Sequence, residues 1–297
     1  ALSYAELSVR IPESAGEAAY LGAATGSDLL AIAVGLAMAT VGVVSAAVVL
    51  QGGVGYLRTM LDLPASLLIL AIGLALGAAA AAGVLESLAL AAVLTLVEVA
   101  GLLIVVGVGF AAPPAPLPET APADALALTG IAAATLLAFF AFVGFEDMVN
   151  MVEETRDPGR TMPRAILLAL AITTVLYVLV SMAAVRAVPP ARLADSASPL
   201  ALVYETATGR APAFLAGIAV AAALNGVLAQ MVMTARVLYG LGRRGHGFGV
   251  FHHAHPRFGT PVLATALATA VVLVLALTAP LVALAEITSL ILLGVFI

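Results

Sequence analysis

The sequence contains no cysteine and no tryptophan, and only 10% of its residues are charged. The absence of cysteine excludes disulfide bonds, thiolate metal sites and a thiol nucleophile within this chain. A soluble domain has about 25% charged residues, so the low charge excludes a soluble globular fold. The net charge of −5 is small and spread over connecting segments. It gives no basic surface for nucleic acid and no polybasic patch for lipid headgroups.

Apolar residues make up most of the remaining composition. The chain is 63% hydrophobic and has a mean hydropathy of +1.17. A helix that crosses a bilayer needs roughly 20 mainly apolar residues, and stretches of this length recur along the chain. Many are built from Ala, Gly, Val and Leu, which allows helices to pack closely in lipid. The sequence therefore predicts an all-α polytopic membrane protein in which helices form a tight bundle.

The apolar stretches define one transmembrane domain over residues 1–297. Residues 88–109 are included although Glu98 lies within them, and the long apolar region that contains Pro280 is divided at that proline. We predict approximate spans at 1–9 (partial), 28–50, 63–85, 88–109, 127–150 (broken near 144), 165–186, 211–238, 261–279 and 281–297 (partial). Because both ends resemble the interior of a helix, we interpret the chain as a fragment of a longer membrane protein.

The arginines give the predicted orientation. All twelve basic residues are arginine. Alternating the spans places eight of them on the side of Arg10 and four on the side of Arg58. Positive residues are enriched in cytoplasmic loops, so the side with eight arginines is predicted to face the cytoplasm.

Glu98 is the most isolated charge in the sequence. It lies in the middle of a predicted span, where an ionisable side chain usually faces the bundle interior, a partner or a water-filled path. One interpretation is a site that couples transport to a proton or a cation. The other is a carboxyl group near enough to the end of the span to reach interfacial water. Both remain open from the sequence.

Residues 136–164 combine an aromatic helix, a glycine and several charges. The apolar run reaches Gly144 and is followed at once by Glu146 and Asp147. Residues 153–164 then read as a hydrophilic loop. The acids could simply cap the membrane segment at water. Alternatively, a helix broken near Gly144 would expose backbone N–H and C=O groups, which can bind a charged zwitterion. The apolar character of residues 148–152 favours a helix that resumes after a break.

Other polar residues are less informative. Asn225 and Gln230 lie within a predicted span, where they would line a cavity or form hydrogen bonds between helices. The four histidines, His246, His252, His253 and His255, lie in a glycine-rich basic loop without acidic or cysteine partners, so we predict a solvated loop and no metal site. The sequence has no H-E-x-x-H, Walker A or G-x-S-x-G motif, and no enzyme activity is predicted.

Several segments resemble amino acid–polyamine–organocation (APC) superfamily permeases. The segment Phe139-Phe-Ala-Phe-Val-Gly-Phe-Glu146 and the following Glu153-Glu-Thr-Arg-Asp-Pro-Gly-Arg-Thr-Met-Pro-Arg164 are similar to the sixth helix and its loop in that family. Ala1-Leu-Ser-Tyr-Ala-Glu-Leu7 is similar to the end of the second helix. The segments from Leu224 to Gly240 and from His255 to Pro261 are similar to the eighth helix and the loop after it. The resemblance covers essentially the whole chain.

This resemblance implies a LeuT-like fold with two inverted five-helix repeats. The chain would run from the end of helix 2 to within helix 10, so helix 1 would be missing. Carried over by position, the substrate-binding residues are expected to be Phe140, Phe142, Val143 and Gly144 in the broken sixth helix, with Asn225 from helix 8. Backbone groups there would contact the substrate's amino group, and an aromatic ring would act as a gate.

The fifth helix departs from the family pattern. Some proton-coupled members have a lysine there, whereas the matching position in this chain is Glu98. The coupling candidates are therefore carboxylates, Glu98 first and Glu146 second, and the lysine-type mechanism is in doubt.

The resemblance implies a secondary active transporter that moves amino acids or related amines across the membrane by alternating access. No cofactor is expected, and the coupling ion would be H⁺ or Na⁺. The expected partners are a small amino acid or amine and the lipid bilayer, not nucleic acid, and the location is the inner membrane of a prokaryote. The alternatives are a sensor or structural protein of the same fold that does not transport, and an enzyme embedded in the membrane. The substrate, the coupling ion and the oligomeric state do not follow from the sequence.

Overall fold

The protein is described from a computed structural model, which covers residues 1–11, 16–83, 88–116, 128–243 and 248–297. These residues form α-helices and two short 3₁₀ helices, with no strand in the described ranges. The α-helices are α1 (Leu2–Arg10), α2 (Gly16–Thr25), α3 (Asp28–Leu57), α4 (Ala65–Ala81), α5 (Leu88–Ala111), α6 (Leu128–Phe140), α7 (Pro158–Ala187), α8 (Pro190–Ala194), α9 (Pro199–Thr208), α10 (Ala213–Arg243), α11 (Val262–Thr278) and α12 (Leu281–Phe296). The 3₁₀ helices are Glu146–Glu154 and Gly249–Phe251.

Four helices are long and apolar enough to cross a membrane. They are Asp28–Leu57, Ala92–Ala111 within α5, Pro158–Ala187 and Ala213–Gly242. Four shorter apolar helices accompany them: Ala65–Ala81, Gly130–Phe140, Val262–Thr278 and Leu281–Phe296. Large apolar side chains remain exposed on many of these helices, as expected for surfaces that face lipid. The predicted all-α polytopic membrane fold is confirmed.

Helix α3 lies at the centre of the bundle and packs against α10, α12, α11 and α4. Its first turn is capped by Ser27, whose hydroxyl accepts a hydrogen bond from the Leu30 N–H at 3.4 Å. Glycines on α3 allow a close approach to α10: a Cβ at Gly53 would lie 2.6 Å from the Ala223 Cβ. Small residues at helix contacts therefore position α3 directly beside α10.

A side chain of α3 also fixes the junction between α11 and α12. Gln51 Nε2 donates hydrogen bonds to the carbonyl oxygens of Ala276 and Ala279, each at 2.8 Å. The last carbonyls of a helix have no partner within the helix, and Gln51 supplies one. Helix α12 starts directly after Pro280, which cannot continue a helix because it lacks an N–H.

The chain between residues 153 and 164 differs from the predicted hydrophilic loop. Only Thr155–Asp157 connects the 3₁₀ helix to α7, which already begins at Pro158. Proline is favoured in the first turn of a helix because its fixed φ suits that position and its missing N–H costs nothing there. Hydropathy marks where apolar residues begin, whereas the helix extends beyond them into the segment that contains Arg160 and Arg164.

Candidate functional site

The helical path is interrupted between α6 and the 3₁₀ helix. Residues 141–145 form turns, in which Ala141, Phe142 and Val143 donate backbone hydrogen bonds to the carbonyl three residues earlier. Gly144 has a φ of +114°, a conformation that glycine adopts readily and other residues rarely do. Its N–H donates to Glu146 Oε2 at 2.9 Å. The backbone thus leaves the α-helical pattern in the middle of the bundle.

A cavity of about 490 Å³ lies beside this interruption. Its lining on one side consists of Phe140, Ala141, Val143, Gly144, Asp147 and Met148. The opposite walls are formed by Ser45 and Val49 of α3 and by Gly226, Ala229, Gln230 and Met233 of α10. Sites for small molecules have volumes of about 300–1,000 Å³ and mostly apolar walls with a few polar groups. This cavity has those properties and is the candidate binding site.

Asp147 and Gln230 are a hydrogen-bonded polar pair in the lining of the cavity. Gln230 Nε2 donates a hydrogen bond to Asp147 Oδ2 at 3.0 Å, which joins α10 to the 3₁₀ helix. Both side chains also line a second, much smaller cavity of about 10 Å³. That volume is about the minimum for one water molecule. The pair therefore lines both the large cavity and a narrow pocket.

The narrow pocket contains two further carboxyl groups. It is lined by Glu17 of α2 and Glu146 of the 3₁₀ helix, together with Thr234 of α10. Glu146 is 1% exposed and Glu17 is 6% exposed. The interpretation in which Glu146 caps the membrane segment at water is therefore wrong. Burying an unpaired carboxylate is costly, so acids in such a pocket must be hydrogen-bonded or protonated, or must face a cation.

Glu17 connects this pocket to an aromatic cluster. The Tyr4 hydroxyl donates a hydrogen bond to Glu17 Oε1 at 2.9 Å. The Tyr4 ring lies edge-on to Tyr20, Phe145 and Phe296, with centroid distances of 6.4, 5.6 and 5.3 Å. Burial raises the pKa of the Glu17 carboxyl to about 7, although hydrogen bonds from the backbone and from Tyr4 oppose the shift. This acid can thus change its charge near neutral pH.

The predicted substrate-binding residues take different positions. Phe140, Val143 and Gly144 line the large cavity. Phe142 instead lies edge-on to Tyr177 of α7, with ring centroids 5.2 Å apart. Asn225 does not appear in the lining, where its neighbour Gly226 does. The role of these residues in binding stays a prediction.

Glu98 lies on α5, away from the large cavity. It is half-buried, and its Oε1 is buried without a hydrogen-bond partner among the described residues. Glu98 also interacts electrostatically with Tyr177, the residue that packs on Phe142. An electrostatic interaction with Tyr177 and the ring contact of Tyr177 with Phe142 therefore link this carboxyl group to the interruption of the helix.

Sequence reasoning missed Glu17, Ser45 and Thr234 as parts of this region. Ser45 and Thr234 are 3% and 2% exposed, and their hydroxyl oxygens have no hydrogen-bond partner among the described residues. The only signal in the sequence was that each is a polar residue within an apolar helix. For Gln230, the structure shows both predicted alternatives together, because the side chain lines the cavity and also forms a hydrogen bond between helices.

The histidine loop shows ring stacking. His252 packs on Tyr239 with ring centroids 4.7 Å apart, and His255 stacks on Phe258 at 4.9 Å. His246 lies outside the described residues. Across the described ranges, no group of three or more His, Cys, Asp or Glu side chains could hold a metal ion.

Comparison with known proteins identifies related sequences along the whole chain. Residues 1–297 match the profile of a protein family described as "Amino acid permease". An uncharacterized transporter of Mycobacterium tuberculosis is 40% identical over 152 residues, which cover 50% of this chain and 34% of that protein. A methylthioribose transporter of Bacillus subtilis is 29% identical over 290 residues, which cover 88% of this chain and 60% of that protein.

A third relative has a named amino acid substrate. The branched-chain amino acid permease BcaP of Bacillus subtilis is 33% identical over 140 residues, which cover 46% of this chain and 30% of that protein. The chain thus spans between about one third and three fifths of the length of these relatives.

Proposed function

Because the chain belongs to the amino acid permease family, we propose that the complete protein is a membrane transporter, not an enzyme, and that it transports amino acids or related amines. It does so by alternating access, driven by a gradient of H⁺ or Na⁺, in the inner membrane of a prokaryote. The relatives' names include branched-chain amino acids, cationic amino acids and methylthioribose, so they support a small organic substrate without selecting one.

The large cavity is the observation that carries this proposal. It lies where the backbone leaves the helical pattern, between the 3₁₀ helix, α3 and α10, and is large enough for one amino acid. Irregular backbone within a membrane is tolerated where it lines a cavity or is buried in protein. Broken helices of this kind present N–H and C=O groups to charged substrates in transporters.

Glu98 and Glu146 are the proposed coupling carboxylates. Glu98 has a buried oxygen without a described partner and interacts electrostatically with Tyr177, whose ring packs on Phe142 at the helix interruption. Glu146 accepts a hydrogen bond from the Gly144 N–H, directly at the interruption. A change in the protonation of Glu146 would alter its hydrogen bond with Gly144, which lines the cavity. Glu98 is the first candidate because no described hydrogen bond occupies its buried oxygen.

The test is uptake of labelled amino acids and amines by the complete protein in proteoliposomes, with an imposed H⁺ or Na⁺ gradient. Accumulation that depends on one gradient is the expected result. Absence of uptake for every amino acid and amine, under both gradients, would contradict the proposal. Specific binding without translocation would instead support a sensor that has kept the fold.

A further inference from the structure

Helix α7 carries an exposed apolar stripe with arginines at one end. The apolar members of the stripe are more than half exposed, and they are Leu168, Ile172, Val175, Met182 and Val185. Arg160 and Arg164 precede Leu168 at intervals of four residues and are also exposed. Residues four apart lie on the same face of a helix. The stripe therefore begins with two guanidinium groups and continues with side chains suited to lipid.

The length of the stripe matches the thickness of a membrane. Helix α7 is long and apolar enough to cross one. Arg164 and Arg186, which lies in the last turn, are about 33 Å apart along the axis at 1.5 Å per residue. The hydrocarbon core of a bilayer is about 30 Å thick. When α7 spans the membrane, Arg164 therefore lies at the level of the lipid headgroups of one leaflet, and Arg160 lies about one turn further out.

A third arginine is held beside these two. The Thr161 hydroxyl donates a hydrogen bond to the Arg156 carbonyl at 2.9 Å, which fixes Arg156 next to the first turn of α7. We call Arg156, Arg160 and Arg164 the arginine patch. Among the described residues, none of the three forms an ion pair, whereas Arg10 of the neighbouring α1 pairs with Glu6 at 2.6 Å. All three are exposed, so their charges are available to a ligand.

The start of α7 lacks the negative charge that usually stabilises this end of a helix. The first turn contains no acidic residue, and the preceding Asp157 makes no side-chain cap hydrogen bond. The N-terminus of a helix has a partial positive charge, which favours anions and disfavours nearby cations. Arg160 and Arg164 add positive charge at this end. An anion bound beside them would offset both the helix dipole and the charge of the patch.

We propose that the arginine patch binds the phosphate headgroup of an anionic phospholipid, whose acyl chains lie along the apolar stripe of α7. Guanidinium groups suit this ligand because they donate paired hydrogen bonds to phosphate oxygens. The lipid belongs to the leaflet on the side of Arg10, the side predicted to face the cytoplasm. This site is separate from both cavities and does not depend on the proposed transport function.

The helix explains why the sequence alone predicts no such patch. The three arginines are separated by three other residues each and do not form a basic run. The net charge of the chain is negative, which also conceals a local positive surface. The spacing of four residues places Arg160 and Arg164 together only once α7 is seen to begin at Pro158.

The experiment measures binding of phosphatidylglycerol to the purified complete protein in detergent. Native mass spectrometry counts the bound lipid molecules, and phosphatidylcholine with the same acyl chains is the zwitterionic comparison. Phosphatidylglycerol should bind at least about tenfold more tightly, because each basic residue near an anionic headgroup favours binding. Equal binding of the two lipids would overturn the inference.

Two triple variants locate the site. The first replaces all three residues of the arginine patch with Gln and should lose the preference for phosphatidylglycerol. The second removes the same charge from exposed arginines on the opposite side and should keep the preference; it combines Arg186→Gln, Arg192→Gln and Arg210→Gln. A preference that survives in the first variant, or that both variants lose equally, would overturn the inference.

Stability without lipid separates binding from a structural role. The Gln variant of the patch should unfold at the same or a slightly higher temperature than the wild type, because its arginines have no described ion pair to lose and oppose the helix dipole. A lower unfolding temperature would mean that the arginines stabilise the fold, and would contradict the inference. Replacing the patch with Lys keeps the charge and should keep most of the preference, and its loss in that variant would contradict a headgroup site.

A soluble competitor distinguishes a lipid from a free phosphate ester. Glycerol 1-phosphate carries the charged group but cannot contact the apolar stripe, so it should not displace phosphatidylglycerol at millimolar concentration. Displacement by glycerol 1-phosphate would assign the patch to a soluble ligand and would overturn the assignment to lipid.

Discussion

Gln230 Nε2 donates a 3.0 Å hydrogen bond to Asp147 Oδ2 across 83 residues of sequence. This contact joins the middle of α10 to the segment that follows the interrupted helix, and both side chains line the large cavity. It therefore couples the shape of the candidate binding site to the position of α10. Each partner also lines the narrow acidic pocket, so the two cavities share this hydrogen-bonded pair.

Replacing Gln230 should weaken substrate binding. Gln230→Met keeps a side chain of similar length but removes the donor to Asp147. Hydrogen bonds to charged groups contribute about 1.5–3 kcal/mol, and the loss of this one frees the Asp147 side chain from its position in the cavity wall, so the KM for uptake should rise by up to roughly tenfold. The control is Met233→Leu, which changes another lining residue of α10 without removing a hydrogen bond. An equal rise of KM in both variants would show that only cavity shape matters.

Glu98→Gln should change the coupling of transport more than the abundance of the protein. Gln keeps the size of the side chain but cannot release a proton, so uptake should lose part of its dependence on the pH or ion gradient. This dependence is measured as uptake under gradients imposed in opposite directions. The amount of protein is determined on the same membranes. Glu205→Gln, at an exposed position of α9, is the control. If Glu98→Gln retains the pH and ion dependence of the wild type, Glu98 is structural.

The membrane class and the helical fold could be predicted because they depend on composition and on the length of apolar runs. The contact of Asp147 with Gln230 could not be predicted in this way. Periodicity shows that a residue such as Gln230 is polar within an apolar helix, but not which neighbour its side chain contacts. That depends on how the 3₁₀ helix packs beside α10, which the sequence of neither segment shows by itself.

The burial of Glu17 is a second feature that could not be predicted from the sequence. It lies in a short helix whose sequence has no marked hydrophobic face and which starts outside the predicted spans. Its carboxyl group is buried because α2 packs on α3 and on the 3₁₀ helix. A sequence read one segment at a time places such an acid in solvent.

Gly144→Ala should destabilise the protein and reduce uptake. A Cβ at this position would contact nothing within 4 Å, so the cost comes from the φ of +114° and not from a clash. Side chains in such sparsely populated conformations cost of order 1–3 kcal/mol. Gly130→Ala on α6 is the control, because it also has open space around the Cβ but a helical backbone. That variant should be neutral or slightly more stable. Thermal unfolding in detergent and uptake are measured for both; equal stability of the two variants would refute the argument.

Two neighbouring glycines of α3 provide a test of helix packing. A Cβ at Gly53 would lie 2.6 Å from the Ala223 Cβ of α10, whereas a Cβ at Gly52 has nothing within 4 Å. Gly53→Ala should therefore separate the two helices at a cost of about 1–3 kcal/mol. Gly52→Ala should stabilise α3 slightly, by up to about 1 kcal/mol, because alanine favours the helix. Thermal unfolding in detergent distinguishes them. A destabilisation that is larger for Gly52→Ala would contradict the close contact of α3 with α10.

The buried acid Glu17 should make the docking of α2 depend on pH. Burial raises the pKa of its carboxyl group from 4.5 to about 7, so between these values the folded protein holds a proton that the unfolded chain releases. Stability therefore falls as pH rises through this window, by at most ~3 kcal/mol from this group. Below pH 4.5 the contribution is fully present, and above about pH 7 it is lost.

Amide hydrogen exchange of α2 at the two ends of this pH window measures the effect, after correction for the intrinsic pH dependence of exchange. The titratable groups that interact with Glu17 are the same in the wild type and in the variant Glu17→Gln; they are Tyr4, Tyr20, Glu146 and Asp147. Glu17→Gln keeps an acceptor for the Tyr4 hydroxyl but cannot ionise, so protection of α2 should depend less on pH than in the wild type. Glu6→Gln is the control, since that side chain is 61% exposed. The same pH dependence in the wild type and in Glu17→Gln would mean that Glu17 does not control how α2 docks on the bundle.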